Sequence, residues 1–406
     1  MELHVFGRIV GSRPPTQTHE GSTTPHCTLR AQIIKILWSS WCDAVIAHQN
    51  DAGHWTIEYS GMGLEAEQVE QLESSETIKS AVSGSGCKVD FFGTAMHHGL
   101  RGFISYGPEY GGNEVVLFSP DTEVGTDVPD IESFALNGDT MIVAIRLTSN
   151  GNVLVGISSS QNSNSHIVRL ESLAELRRCL RTDVFESATS AIASIDHIQF
   201  CTNSTTATVV DKGGQGYTAT SDPRYSKCLG RPYGGTANFE PVSYLSETRV
   251  DRIASGGYMT AAVSSDHELF LWGQTCPGVK GELSLLRSDY ASNNGKAVPT
   301  TSGVSAEDEQ DECVKCLTVR IDGQVARVYD VTVGHGHILV AAEVRATDGS
   351  LTRAVFAAGD NSKRQLGLET ESRSLADFEE VSTLRNRKVL QLAAAGWTSY
   401  IVTSGD

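Results

Sequence analysis

The sequence predicts an all-β fold, a ring of seven small sheets that makes a seven-bladed β-propeller. Three observations carry the prediction. Short apolar strands bounded by glycine and by Asp or Ser turns recur along the chain, as in antiparallel meanders. The copies begin at Ile33, Ile78, Ile131, Ile195, Val250, Val328 and Val389, a spacing that marks a repeat architecture. The last copy stops after two strands, while residues 3–7 form a lone strand that would complete it. Closing the ring in this way removes the exposed sheet edge that invites aggregation.

The copy at Val250 is the clearest. A first strand leads to the pair Gly256-Gly257, a second strand spans 260–263, and a third spans 269–272 after a polar turn. At Val328 the same layout passes through Gly334-His335-Gly336-His337, turns at Asp348-Gly349, and reaches a strand ending at Gly359. Six residues after each start stands a small or short residue: Ser39, Gly84, Asn137, Cys201, Gly256, Gly334 and Ala395. Two backbones must approach closely there. Glycines at repeat steps or strand-turn junctions are Gly84, Gly256, Gly257, Gly334, Gly359, Gly367 and Gly396. The 39 glycines among 406 residues, above the usual ~7%, fit recurring strand junctions.

The reading gives one domain over 1–406 with two insertions. At about 161–194, Leu170, Leu173, Leu176 and Leu180 recur at helical spacing, which predicts a short amphipathic helix on a blade edge or, alternatively, a partner-binding helix. At about 284–327, a polar flexible stretch leads to the acidic run Glu307, Asp308, Glu309, Gln310, Asp311, Glu312. Such a run is a solvated loop or a dock for a basic partner. Cys313 and Cys316 follow as a single CxxC without the further ligands that structural zinc needs, so they read as strand cysteines.

Few function classes survive the composition. A formal charge of −17 repels a phosphate backbone, so direct DNA binding is not expected. No apolar run is long enough to span a membrane. The opening Met1–Gly7 lacks a basic and then apolar secretion pattern, and the nine cysteines are odd in number and scattered. A cytoplasmic or nuclear protein with reduced thiols is expected. Nucleophile-elbow, phosphate-loop, zincin and EF-hand signatures are absent, so no catalytic, cofactor or metal residue is assigned. Trp41 and Trp397 occupy equivalent steps of adjacent units beside the closure, where aromatic side chains are plausible anchors for a protein partner. The acidic run is the other expected contact.

Gly256-Gly257-Tyr258, the strand end Leu271-Trp272-Gly273, and Phe356-Ala357-Ala358-Gly359-Asp360-Asn361 with Gln365-Leu366-Gly367 resemble the regulator-of-chromosome-condensation repeat family. The resemblance is specific over 250–283 and 328–368, and through it His337 joins the repeat steps. It implies a seven-bladed propeller that binds proteins, monomeric and without a cofactor. It resembles the stand-alone fungal forms, including an α-tubulin-suppressor type. That type implies a small zinc protein as partner and a role in diphthamide or Elongator-type modification linked to translation. The alternative implied by the founding member is guanine-nucleotide exchange on a Ran-like small GTPase.

Overall fold

The structure, a computed structural model, describes residues 1–7, 27–41, 43–84, 87–94, 99–107, 113–119, 131–136, 140–159, 165–185, 189–191, 199–220, 222–277, 283–286 and 313–405. The chain begins with β1 (Glu2–Gly7) and β2 (Cys27–Arg30), which belong to the final blade. Blade one contains β3 (Ile33–Ser39), β4 (Ala44–Gln49) and β5 (Trp55–Ser60), followed by helices α1 (Ala66–Ser74) and α2 (Glu76–Ser83) where other blades have a fourth strand. Blade two is β6 (Lys88–Gly93), β7 (Leu100–Tyr106), β8 (Asn113–Phe118) and β9 (Ile131–Ala135). Blade three is β10 (Thr140–Leu147), β11 (Val153–Ser159), β12 (Ser165–Leu170) and, after helix α3 (Leu173–Thr182), β13 (Thr189–Ala191). Blade four is β14 (Gln199–Thr202), β15 (Thr206–Val210), β16 (Gly216–Thr220) and β17 (Glu240–Pro241). Blade five is β18 (Val250–Gly256), β19 (Met259–Ser264), β20 (Leu269–Gly273) and β21 (Val314–Leu317), followed by a small hairpin, β22 (Arg320–Ile321) and β23 (Gln324–Val325). Blade six is β24 (Arg327–Val333), β25 (His337–Arg345), β26 (Leu351–Asp360) and β27 (Ser374–Glu380). Blade seven joins β28 (Val389–Ala395) and β29 (Thr398–Thr403) to β1 and β2.

The closure takes the predicted form. β1 runs antiparallel to β29, with Glu2 opposite Thr403 and Gly7 opposite Thr398. The first strands of the blades touch in ring order, and β28 meets β3, so they line a central channel.

Each blade is a twisted sheet with two apolar faces, because successive strand residues point to opposite sides. In β19, Ala261 packs toward blade six and Ala262 toward blade four. In β25, Ile338 and Val340 face blade five, and Leu339 and Ala341 face blade seven. The result is one apolar core for each pair of neighbouring blades. Burial on both faces gives these strands continuous apolar runs in place of alternation.

Two predicted repeat starts are corrected, and a third falls outside the described residues. Ile33, Val250 and Val389 do open first strands, and Val328 is the second residue of one. Ile78, however, lies in α2, where Ile78 and Val82 present one buried helical face. Ile131 opens β9, the outer strand of blade two, and the first strand of blade three follows at Thr140. Ile195 lies outside the described residues, and the strand of blade four begins at Gln199. The described parts of the two supposed insertions include blade strands. Residues 161–194 include β12, α3 and β13, and 284–327 include β21 and the β22–β23 hairpin. The predicted helix exists but begins at Leu173, with Ser172 as its N-cap accepting from the Glu175 amide; Leu170 ends the preceding strand.

Candidate functional site

The alternation of strands sends every first-to-second turn to one face of the ring. On that face the channel opens into a cavity of about 310 Å³ walled by all seven blades, with Trp38, Trp41, Phe92, Arg146, Phe200 and His335 among its lining.

Polar side chains lace the wall. Arg146 in β10 donates from Nη1 and Nη2 to the Asp90 carboxylate of β6 at 2.8 and 3.2 Å, and from Nε to the Phe200 carbonyl of β14 at 2.7 Å. Gln199 accepts from the Ile253 amide of β18 at 2.8 Å. Arg252 pairs with Asp330 in β24, and Asp330 accepts from the Leu392 amide of β28 at 3.0 Å. Gln391 exchanges two hydrogen bonds with the backbone of Ile36 in β3, at 2.9 and 2.7 Å. Burial pushes the Asp330 carboxyl above its usual range, against the pull of Arg252 and two backbone amides. These groups satisfy one another and fix the ring, which leaves the rim as the part free to meet a partner.

At the rim, three turns bring aromatic rings together. Trp41 of blade one stands edge-on to Trp397 of blade seven, with centroids 4.3 Å apart. His335 of blade six lies 4.5 Å from Trp41 and 6.1 Å from Trp397. The Lys363 ammonium sits 5.9 Å from the Trp397 ring centroid, within cation–π reach. The cluster depends on Gly396, whose φ is +53° and whose added Cβ would come within 2.7 Å of the Trp41 Cα. The His335 amide locks the arrangement by donating to the Gly396 carbonyl at 2.8 Å. All three rings are half-buried, and burial lowers the His335 pKa, so it is a neutral aromatic surface at pH 7.

A second group on this face stacks Tyr225 on Tyr258, 5.1 Å between centroids, with the Arg224 guanidinium 5.6 Å from the Tyr225 ring. It adjoins the first group, since an added Cβ on Gly257 would lie 3.2 Å from the His335 Cα.

The predicted steps fall as follows. Gly256 ends β18, where a Cβ would meet the Val333 carbonyl of the next blade at 2.2 Å; Gly257 and Gly334 lie in the turns; Gly367 packs against the Phe6 ring. Gly359 faces the Gly336 carbonyl. His337 is fully buried, with Nε2 2.9 Å from the Ser399 hydroxyl. That hydroxyl donates to the Gln365 carbonyl at 2.8 Å, so Nε2 carries the proton, and burial lowers the His337 pKa to about 4. Gly84 is a correction: it caps the C-terminus of α2 with φ 85°, and a Cβ there would touch nothing. The matching strand end of blade two is Gly93, whose Cβ would meet the Gly99 carbonyl at 2.4 Å. Glu307, Asp308, Glu309, Asp311 and Glu312 lie outside the described residues. Cys313 directly precedes β21 and Cys316 lies within it, both as free thiols.

Among the described residues no cluster of three His, Cys, Asp or Glu side chains could hold a metal, and no helix is long and apolar enough to cross a membrane.

No protein-family model and no curated protein sequence matches the chain. Solved structures do. Prp20p from Saccharomyces cerevisiae, reported with its binding properties to Gsp1p and histones, superposes with a TM-score of 0.59 at 12% identity, covering 100% of this chain and 92% of that one. This chain is an RCC1-type propeller in fold. A second structure, yeast RCC1 (Prp20) bound to Kap60, gives a TM-score of 0.58 at 11% identity over 100% and 90% of the two chains. The ring fold is thus shared with few side chains in common.

Two contributors at the rim escaped sequence reasoning. His335 was visible only as a turn residue, and Lys363 only as part of a loop. Their signal is positional: His335 stands between Gly334 and Gly336, and Lys363 lies in the loop between Gly359 and Gly367.

Proposed function

We propose that this propeller is a protein-binding platform that acts by docking, with a small GTPase as its first candidate partner. The observation that carries the reading is the Trp41–His335–Trp397 cluster with Lys363 at the channel rim. Clustered, half-exposed aromatics beside a cation have the composition of interface hot spots. The likeness in fold to Prp20p, reported with its binding to Gsp1p, supports trying a GTPase first. The platform would act as a monomer in the nucleus or cytoplasm.

The test is release of a fluorescent guanine nucleotide from a Gsp1p-type GTPase. Exchange activity predicts acceleration at micromolar propeller, and Trp397→Ala should weaken the complex about thirtyfold, as loss of a hot-spot aromatic does. The alternative, a small zinc protein in diphthamide or Elongator-type modification, predicts a stable complex with that protein and no nucleotide release. Unchanged release would remove the exchange reading.

A further inference from the structure

Between blades three and four, on the same face, lies a second cleft of about 310 Å³. Its floor is apolar, formed by Leu154, Ala207 and Ala219. Its rim carries the β10–β11 turn, Thr205, Thr220 and the pair Asp222–Arg224. Two of the hydroxyls are already committed: Ser149 donates to the Ser204 carbonyl, and Thr220 donates to the Thr205 carbonyl at 2.6 Å.

Arg169 is different. Three other sheltered arginines face carboxylates: Arg146 meets Asp90, Arg177 meets Glu132 at 3.0 Å, and Arg231 meets Glu240 at 2.7 Å. Arg169 is half-buried in the cleft wall, and its one described hydrogen bond runs from Nη2 to the Ala237 carbonyl at 3.1 Å. Among the described residues no carboxylate pairs with it, and burial alone lowers its pKa. Without a carboxylate among the described residues, the guanidinium keeps donors of its fork for a ligand, in a chain of net charge −17.

We infer that this cleft receives the carboxylate of an acidic side chain from a partner protein. Arg169 and Arg224 with Asp222 leave one net positive charge, which complements a monoanion better than a phosphate dianion. The apolar floor suits the methylenes of Glu or Asp, which a free inorganic anion lacks. The inference rests on the reading of the ring as a protein-binding platform, and it names the chemistry a partner must present beside the aromatic rim.

The test follows the Arg169 side-chain Nε–H resonance in the full chain while acetyl-Gly-Glu-Gly-amide is added. Saturable millimolar binding is expected. The Gln peptide should bind about tenfold more weakly, as should the Glu peptide to Arg169→Gln (followed by backbone resonances of the cleft), from loss of a charge-assisted contact. Arg224→Gln, which leaves Asp222 unneutralised, should also weaken binding and serves if Arg169→Gln does not fold. Trp397→Ala should leave the titration unchanged, so the cleft can hold while the rim reading fails. Equal binding of the Glu and Gln peptides, tighter binding of a phosphoserine peptide, or loss of binding in Trp397→Ala would each overturn the proposal.

Discussion

Blades five to seven and blades one to four solve the same packing problem with different atoms. In the former, the third strand ends in a glycine pressed against the start of the second strand. Added Cβ atoms on Gly273, Gly359 and Gly7 would lie 2.2, 2.2 and 2.0 Å from the carbonyls of Tyr258, Gly336 and Trp397. The backbone itself makes the junction. In the latter, buried polar side chains hold the turns. Asp43 accepts from the amides of Met62 and Gly63, each at 3.1 Å, and of Leu100 at 2.8 Å, which ties blade one to blade two. Asn203 accepts from the amides of Thr205 and Thr206 at 3.0 and 2.8 Å. Blades five to seven close this junction with a glycine against a carbonyl, whereas blade one sets Gly61 against the Asp43 carboxylate and blade four relies on Asn203.

The sharpest way to break the first device is Gly359→Ala. Its φ of +105° and the facing carbonyl leave no room for a methyl group, so a loss of about 4 kcal/mol is expected in denaturant unfolding. An unchanged midpoint would show that the close approach is not required. The second device is tested by Asp43→Ala, which strands three backbone donors at a site only 2% exposed. A loss of about 3 kcal/mol is expected, and Asp43→Asn should recover part of it by keeping an acceptor.

The smallest effect is a pH dependence from His337, in the glycine-built half. His337 has a pKa of about 4 when folded, against 6.5 for an ordinary histidine. The unfolded chain therefore binds this proton first. Stability from the neutral buried ring is complete above pH 6.5 and declines as pH falls toward 4. At pH 5 the loss is about 2 kcal/mol. Thermal melts across that range should show the slope, and His337→Gln should flatten it.

The same contrast explains what could be read in the sequence. A junction built by glycine leaves a mark, and the starts at Val250, Val328 and Val389 fell on or within one residue of the observed strands. A junction built by Asp43 or Asn203 looks like any polar turn. In blade two the small residue six positions after Ile78 is Gly84, a helix cap, whereas the observed strand end is Gly93. The replacement of a fourth strand by α1 and α2 shifted the register further. Trp41 and Trp397 were legible as a pair because both follow from the repeat spacing. Arg169 was not, because what distinguishes it is the lack of a carboxylate partner among the described residues, and only the fold reveals a neighbourhood.

The pairing of β1 with β29 also fixes an order of events. Leu3 meets Val402, whereas the partners in an ordinary hairpin lie about ten residues apart. With loop-closure entropy growing by about 0.6 kcal/mol per doubling, this contact costs about 3 kcal/mol more to form than a hairpin. During synthesis it also has to wait for β29, by which time the earlier blades have emerged and can form. The strand at residues 2–7 is therefore placed only once β29 is available, and it carries an open edge for as long as it waits.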